Sequence, residues 1–222
     1  MIVIGLMYKD FKVMIDRFKP ANIIAILVVS LFFILLMRGS GATFIAIILP
    51  LVVASTPVIL QTSDEKSGWD KYVWAAPISK KGIIWSRYLF CLGLIAGTGL
   101  FTIIVNILTQ IVFQDLPLKL HLIISIVGLL ISVLYLLLLL PAVYAYGTSG
   151  NTIVSFILIA AVMFFLYAIN ITNLGDKFIR FVKYLLNIDI KIVCLAIGFM
   201  YMVISLFSFQ LSLMVYTKKF KR

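Results

Sequence analysis

The residues able to do chemistry in this chain crowd into one stretch, 62–88, which reads TSDEKSGWDKYVWAAPISKKGIIWSRY. Thr62 followed three residues later by Glu65 is a capping-box pattern, in which hydroxyl and carboxylate satisfy free backbone N–H groups, so a helix is expected to begin there. Asp64 and Glu65 suit the positive end of that helix. It is expected to run to about Trp74 and to break at Pro77, which pushes Ala76 towards extended backbone. Ser79 then fits the N-cap of a second helix. A short helix carrying Asp64, Glu65, Lys66, Trp69, Asp70 and Trp74, joined by a tight corner to a long one, forms a lever that transmits a push from a partner. The same residues also suit a solvated loop whose lysines set topology and whose Trp69, Trp74 and Trp85 lie at a membrane interface.

Catalytic chemistry finds no such cluster. HExxH and the Walker A pattern GxxxxGK[ST] are both absent from the sequence, so neither zinc hydrolysis nor ATP hydrolysis is expected of this chain. His121 is the single histidine, which excludes a multi-histidine metal site. Cys91 and Cys194 lie in apolar runs and form no CxxC, so they read as small buried hydrophobes. No Asp, Glu, Lys or Arg occurs in 21–37, 42–60, 90–113, 122–143, 151–171 or 192–216. A charge at membrane depth marks ion paths and proton relays, and its absence argues against an ion-coupled carrier. Asn106, Gln110 and Asn170 are left to hydrogen-bond between helices, or to coordinate something weakly. Gly93 and Gly97 form a GxxxG that permits close helix approach.

The elements that carry these residues follow from composition. Sixty-four per cent of the chain is hydrophobic and 12% charged, whereas a soluble chain is about 45–50% apolar and about 25% charged. A water-soluble globule is excluded, and an all-α polytopic membrane protein is expected. Six transmembrane helices are read at about 21–37, 42–60, 82–113, 120–143, 151–171 and 190–216, all in a single transmembrane domain covering 1–222. Pro50 and Pro57 should kink or weaken the second. Residues 1–20 read as an amphipathic interfacial helix with Tyr8, Phe11, Met14 and Phe18 on its apolar side. An even span count puts both termini on one side. Thirteen of the 19 Lys and Arg fall on that side and six on the other, which makes it the cytoplasm. The net charge of +11 is thereby assigned to topology and anionic lipid, and no nucleic-acid partner is expected.

With these residues in view, DEKSGWDKY…APISKKGIIWSRYL resembles the cytoplasmic loop of ABC-2-type transporter permeases, the membrane subunits of bacterial ATP-binding-cassette exporters. Glu65, Lys66, Gly68, Trp69, Pro77, Ser79, Lys80, Lys81, Arg87 and Tyr88 carry the likeness. Ala76, where a leucine commonly precedes the proline, and Gly82 depart from it. The resemblance implies that Asp64 to Trp74 form a cytoplasmic coupling helix docking on a separate nucleotide-binding ABC ATPase subunit, with Met1 to Lys19 as a connecting helix. It implies ATP and magnesium held by that partner, no cofactor on this chain, a second permease copy or paralogue, and the bacterial plasma membrane. Its size is similar to permeases exporting antimicrobial peptides, lantibiotics or phenol-soluble modulins, so amphipathic or hydrophobic peptides are the implied cargo. Phe178, Phe181 and Leu185 share one helical face of 172–189, resembling an outer re-entrant stretch or, equally, an ordinary interfacial loop. A non-transporting membrane scaffold or toxin-immunity protein shares the composition and needs no ATPase.

Overall fold

A computed structural model describes residues 2–17, 20–69, 72–73, 78–171 and 190–219. Phe18, Asp70, Trp74 and the whole of 172–189, with Phe178, Phe181 and Leu185, fall outside the described residues, as does the Asn170 side chain. Every element described is a helix: α1 (Ile2–Arg17), α2 (Pro20–Val53), α3 (Thr56–Ser67), α4 (Lys80–Phe113), α5 (Leu118–Tyr146), α6 (Ser149–Ile171) and α7 (Ile190–Lys219).

Among the described residues, five helical stretches are long and apolar enough to cross a membrane, Ile24–Ser67, Lys80–Phe113, Leu118–Tyr146, Ser149–Ile169 and Cys194–Lys218. Six had been expected, and the difference lies in the first. Residues 21–37 and 42–60 fall within one helical run, but Arg38 sits at φ 49, ψ −128, a left-handed backbone that breaks it. The Phe33 and Phe44 rings stack with centroids 5.8 Å apart. Eleven residues along a straight helix would be about 16 Å apart, so the chain folds back on itself at Arg38. Glycine permits the reversal, because a Cβ on Gly41 would lie 2.5 Å from the Phe33 carbonyl oxygen.

The second arm ends earlier than expected. Pro50 is accommodated inside α2, whereas the helix stops at Val53 and α3 starts afresh at Thr56 with Pro57 in its first turn. A proline there lacks an N–H that would be unpaired in any case. Thr62 is therefore interior to α3 and not a cap: its hydroxyl donates to the Val58 carbonyl at 2.7 Å. The helix stops at Gly68, whose left-handed φ of 68 lets its N–H reach the Asp64 carbonyl. Ser79 does cap α4, its hydroxyl accepting from the Gly82 N–H at 3.2 Å.

The helices α4 and α5 form the centre, with α2 against both and α7 against the pair from another side. Gly128 makes the close approach of α5 to the second arm of α2, since a Cβ there would lie 2.6 Å from the Ala46 carbonyl oxygen. Gly93 and Gly97 meet nothing within 4 Å among the described residues, so the GxxxG is not a contact between the described helices. At the end of the bundle near α3, Leu6, Leu60, Ile84, Tyr88, Leu140, Tyr144 and Tyr216 bring α1, α3, α4, α5 and α7 into one apolar core.

Candidate partner-docking site

The arrangement begins with α1. Its buried positions are Leu6 and Asp10, with Val13 and Met14 partly covered, and they face α4. Ile4, Tyr8, Phe11 and Ile15 form the opposite stripe at i, i+4, i+7 and i+11 and are all exposed. Of the apolar stripe foreseen on Tyr8, Phe11 and Met14, the first two turn away from the protein, whereas Met14 turns inwards and packs on the core. The face turned inwards carries a carboxylate.

Asp10 is only 2% exposed, and Asp64 on α3 only 4%. Between them lies Arg87, 5% exposed, from the second turn of α4. The Arg87 guanidinium pairs with Asp64 through Nη2, lies 3.8 Å from Asp10, and donates from Nη1 to Gln61 Oε1 at 3.3 Å. Lys9 completes the set, its Nζ 3.0 Å from Asp10 and 2.7 Å from Asp64. Two carboxylates face two cations, so the buried knot is charge-balanced, the condition on which buried ions are tolerated. Arginine suits the centre because its planar fork donates in several directions and stays charged. Tyr144 of α5 is buried in the same core.

Two links lead from the knot to the surface. Gln61 Nε2 donates to Glu65 Oε1 at 3.2 Å, and Glu65 is exposed beside Lys66 and Ser67. The Glu65 carboxylate also covers the α5–α6 turn, lying 2.8 Å from where a Cβ of Gly147 would be. On the other side the Lys9 ammonium sits 4.6 Å over the Trp69 ring, a cation–π contact, and Trp69 packs at 5.6 Å against the exposed Tyr72. Glu65, Lys66, Trp69 and Tyr72 therefore form a ledge of charged and aromatic groups, held from behind by Arg87.

The sequence had grouped Asp64 with Glu65, Lys66 and Trp69 on one outward helix. The structure keeps Glu65 and Lys66 outward, leaves Trp69 half-covered, and turns Asp64 inwards. Asp10, Gln61 and Tyr144 were missed. The available signal was the position of Asp10 among Leu6, Val13 and Met14, where helical spacing asks for an apolar residue.

A family model described as ABC-2 family transporter protein matches residues 5–216. The chain belongs to the ABC-2 transporter family. Membership makes it the membrane permease subunit of an ABC transporter, a multi-pass protein that transports and is not itself a catalyst. No curated protein and no solved structure matches the permease. The match spans α1 to α7, so it takes in the N-terminal helix and the ledge as well as the apolar helices.

Proposed function

We propose that the permease exports amphipathic or hydrophobic peptides, driven by a separate nucleotide-binding ABC ATPase that holds ATP and magnesium and docks on the ledge of Glu65, Lys66, Trp69 and Tyr72. The observation that carries this reading is the continuous polar path from Glu65 through Gln61, Arg87, Asp64 and Lys9 to Trp69. It ties both exposed ends of the ledge to the start of α4. That helix has 34 residues and is about 51 Å long, against about 30 Å for the hydrocarbon core. A push on the ledge therefore acts on the foot of a lever that crosses the whole membrane.

The two arms of α2 each cross in this reading, giving six spans with both termini in the cytoplasm of a bacterial cell. Two permeases, identical or paralogous, enclose the path. The cargo class is supported by apolar clefts. One of 390 Å³ lies between the arms of α2, lined by Val29, Phe33, Phe44 and Ile48. Another of 420 Å³ lies among α5, α6 and α7, lined by Leu138, Ile157, Phe207 and Leu211. Neither offers a charge to a polar substrate.

The test is reconstitution with the ATPase recovered by gentle pull-down of the tagged permease. Glu65→Ala with Trp69→Ala is expected to abolish transport-coupled stimulation of ATP hydrolysis while the permease stays folded. Unchanged stimulation in that double variant refutes the docking ledge. Recovery of no Walker A protein from native membranes refutes the proposed ATPase docking.

A further inference from the structure

At the end of α4 and α5 far from the Arg87 knot lies a second buried polar cluster, which ATPase docking does not use. Asn106 is fully buried there. Its Nδ2 donates to the Thr102 carbonyl at 3.1 Å and to Ser125 Oγ at 2.9 Å, and Ser125 Oγ donates onward to the His121 carbonyl at 2.9 Å. A backbone carbonyl only accepts, so the amide nitrogen of Asn106 must face Thr102, and Oδ1 must be the atom 2.9 Å from His121 Nδ1. Two acceptors cannot share a hydrogen bond, so Nδ1 carries the hydrogen. A neutral imidazole has one N–H, which leaves Nε2 as a bare lone pair. His121 is 0% exposed, and its Nε2 meets no hydrogen-bond partner among the described residues. One turn beyond Asn106, Gln110 Oε1 is a second buried acceptor with no donor among the described residues.

The imidazole sits where two connections meet. A Cβ on Gly39 would lie 3.5 Å from His121 Cε1 and 3.5 Å from Asp115 Cβ. The Asp115 carboxylate accepts from the Gly39 N–H at 3.4 Å, latching the 114–117 link to the α2 reversal. Among the described residues, the charged groups at this end are Asp115 on the link, Arg38 on the reversal, Lys119 at the start of α5 and Lys191 at the start of α7. The packed faces of α4 and of the second α2 arm are uncharged. Asp115 is the one anion available to a charged imidazole there among the described residues.

We propose that His121 is a proton-binding site, and that acid on the outer side releases the Asp115–Gly39 latch. The outward assignment rests on the orientation proposed above. The step is simple: water at that end delivers a proton, an Nε2–H bond forms, and the ring becomes a cation with Nδ1–H still donating to Asn106 Oδ1. The new Nε2–H and its charge then attract the Asp115 carboxylate away from the Gly39 N–H, freeing the reversal at Arg38 from the link.

His121 is the single histidine, so permease labelled with ¹⁵N-histidine in nanodiscs shows one imidazole. At pH 8 its Nδ1 is expected to resonate as a protonated nitrogen and Nε2 as an unprotonated one, with both protonated once acid is added. An Nε2–H tautomer at pH 8, or a ring that stays neutral down to pH 5, overturns the proposal. Hydrogen exchange over 38–41, taken as the ratio of the parent rate to that of His121→Gln at the same pH so that base catalysis of exchange cancels, is expected to accelerate about threefold from pH 8 to pH 5. Asp115→Asn, an exposed change that leaves the packing intact, should abolish that acceleration. Equal pH dependence in all three proteins overturns the latch. In oriented proteoliposomes, response to acid on the N-terminal side alone overturns the outward assignment while leaving the tautomer result standing.

Discussion

Replacing Arg87 by methionine keeps most of the side-chain length and removes the charge at the centre of the knot. Asp10 and Asp64 would then share the single ammonium of Lys9, at 3.0 and 2.7 Å, and Gln61 Oε1 would lose its donor. Two unit charges about 4 Å apart at an effective dielectric of about 20 interact by about 4 kcal/mol. Breaking a buried pair from one side costs about 3–5 kcal/mol, because the partner is left uncompensated. Arg87→Met is therefore expected to lose about 3–5 kcal/mol of stability. Adding Asp64→Asn restores the balance, since Lys9 and Asp10 remain as one pair. The double variant should recover at least half of the loss. A thiol-reactive fluorogenic dye provides the assay in a Cys194→Ser background, because Cys194 is exposed while Cys91, 1% exposed, reacts only on unfolding. At about 2–4 °C per kcal/mol for a chain of this size, Arg87→Met should melt about 10 °C lower. Melting within about 2 °C of the parent refutes the balance argument, as does a double variant whose loss is the sum of both single losses.

Four further substitutions follow from the structure. Tyr88→Phe removes the hydroxyl that meets Ser208 at 2.6 Å and Ser212 at 2.9 Å on α7, and should cost about 1 kcal/mol in the same dye assay. Gly128→Ala drives a methyl into the α2 backbone and should cost about 1–3 kcal/mol, whereas Gly97→Ala meets open space and should be neutral or gain up to about 1 kcal/mol from helix propensity. A loss at Gly97 of the size seen at Gly128 would refute that assignment and place a second copy against it. Ser40→Cys, at the exposed reversal of α2, should be labelled by an impermeant reagent from the side opposite the N-terminus. Labelling from the N-terminal side would refute separate crossings by the two arms.

The helical content was legible because apolar runs of bilayer length leave few alternatives, and their ends carried local signals. Ser79 capped α4 as its type and spacing required. The capping box at Thr62 misled because a box specifies satisfied N–H groups, and those of 62–65 were already satisfied by a helix begun six residues earlier. Pro57 was the stronger start signal, since proline is disfavoured within a helix and preorganised for its first turn. Reading it as a kink inside a span hid α3. The GxxxG at Gly93 was likewise legible as a pattern and silent as a contact, because two glycines on one helix do not specify which helix meets them.

The charges show most clearly where pattern reading stops. Lys9 and Arg87 entered the sequence argument as two of thirteen cations marking one side of a membrane. Both prove to be bound to buried carboxylates, and Asp10 and Asp64 contribute little to such a bias in any case. Setting the two aside leaves eleven against six, so the proposed orientation does not need them. Their use is structural: α1, α3 and α4 share an apolar core at that end, and a balanced knot of ions beside it adds directional contacts that apolar packing does not supply. Periodicity assigns each of these residues to a face of its own helix. Which faces meet is decided by the complementarity of Asp10, Asp64, Lys9 and Arg87 taken together, and four residues spread over 79 positions of sequence carry no local sign that they belong to one site.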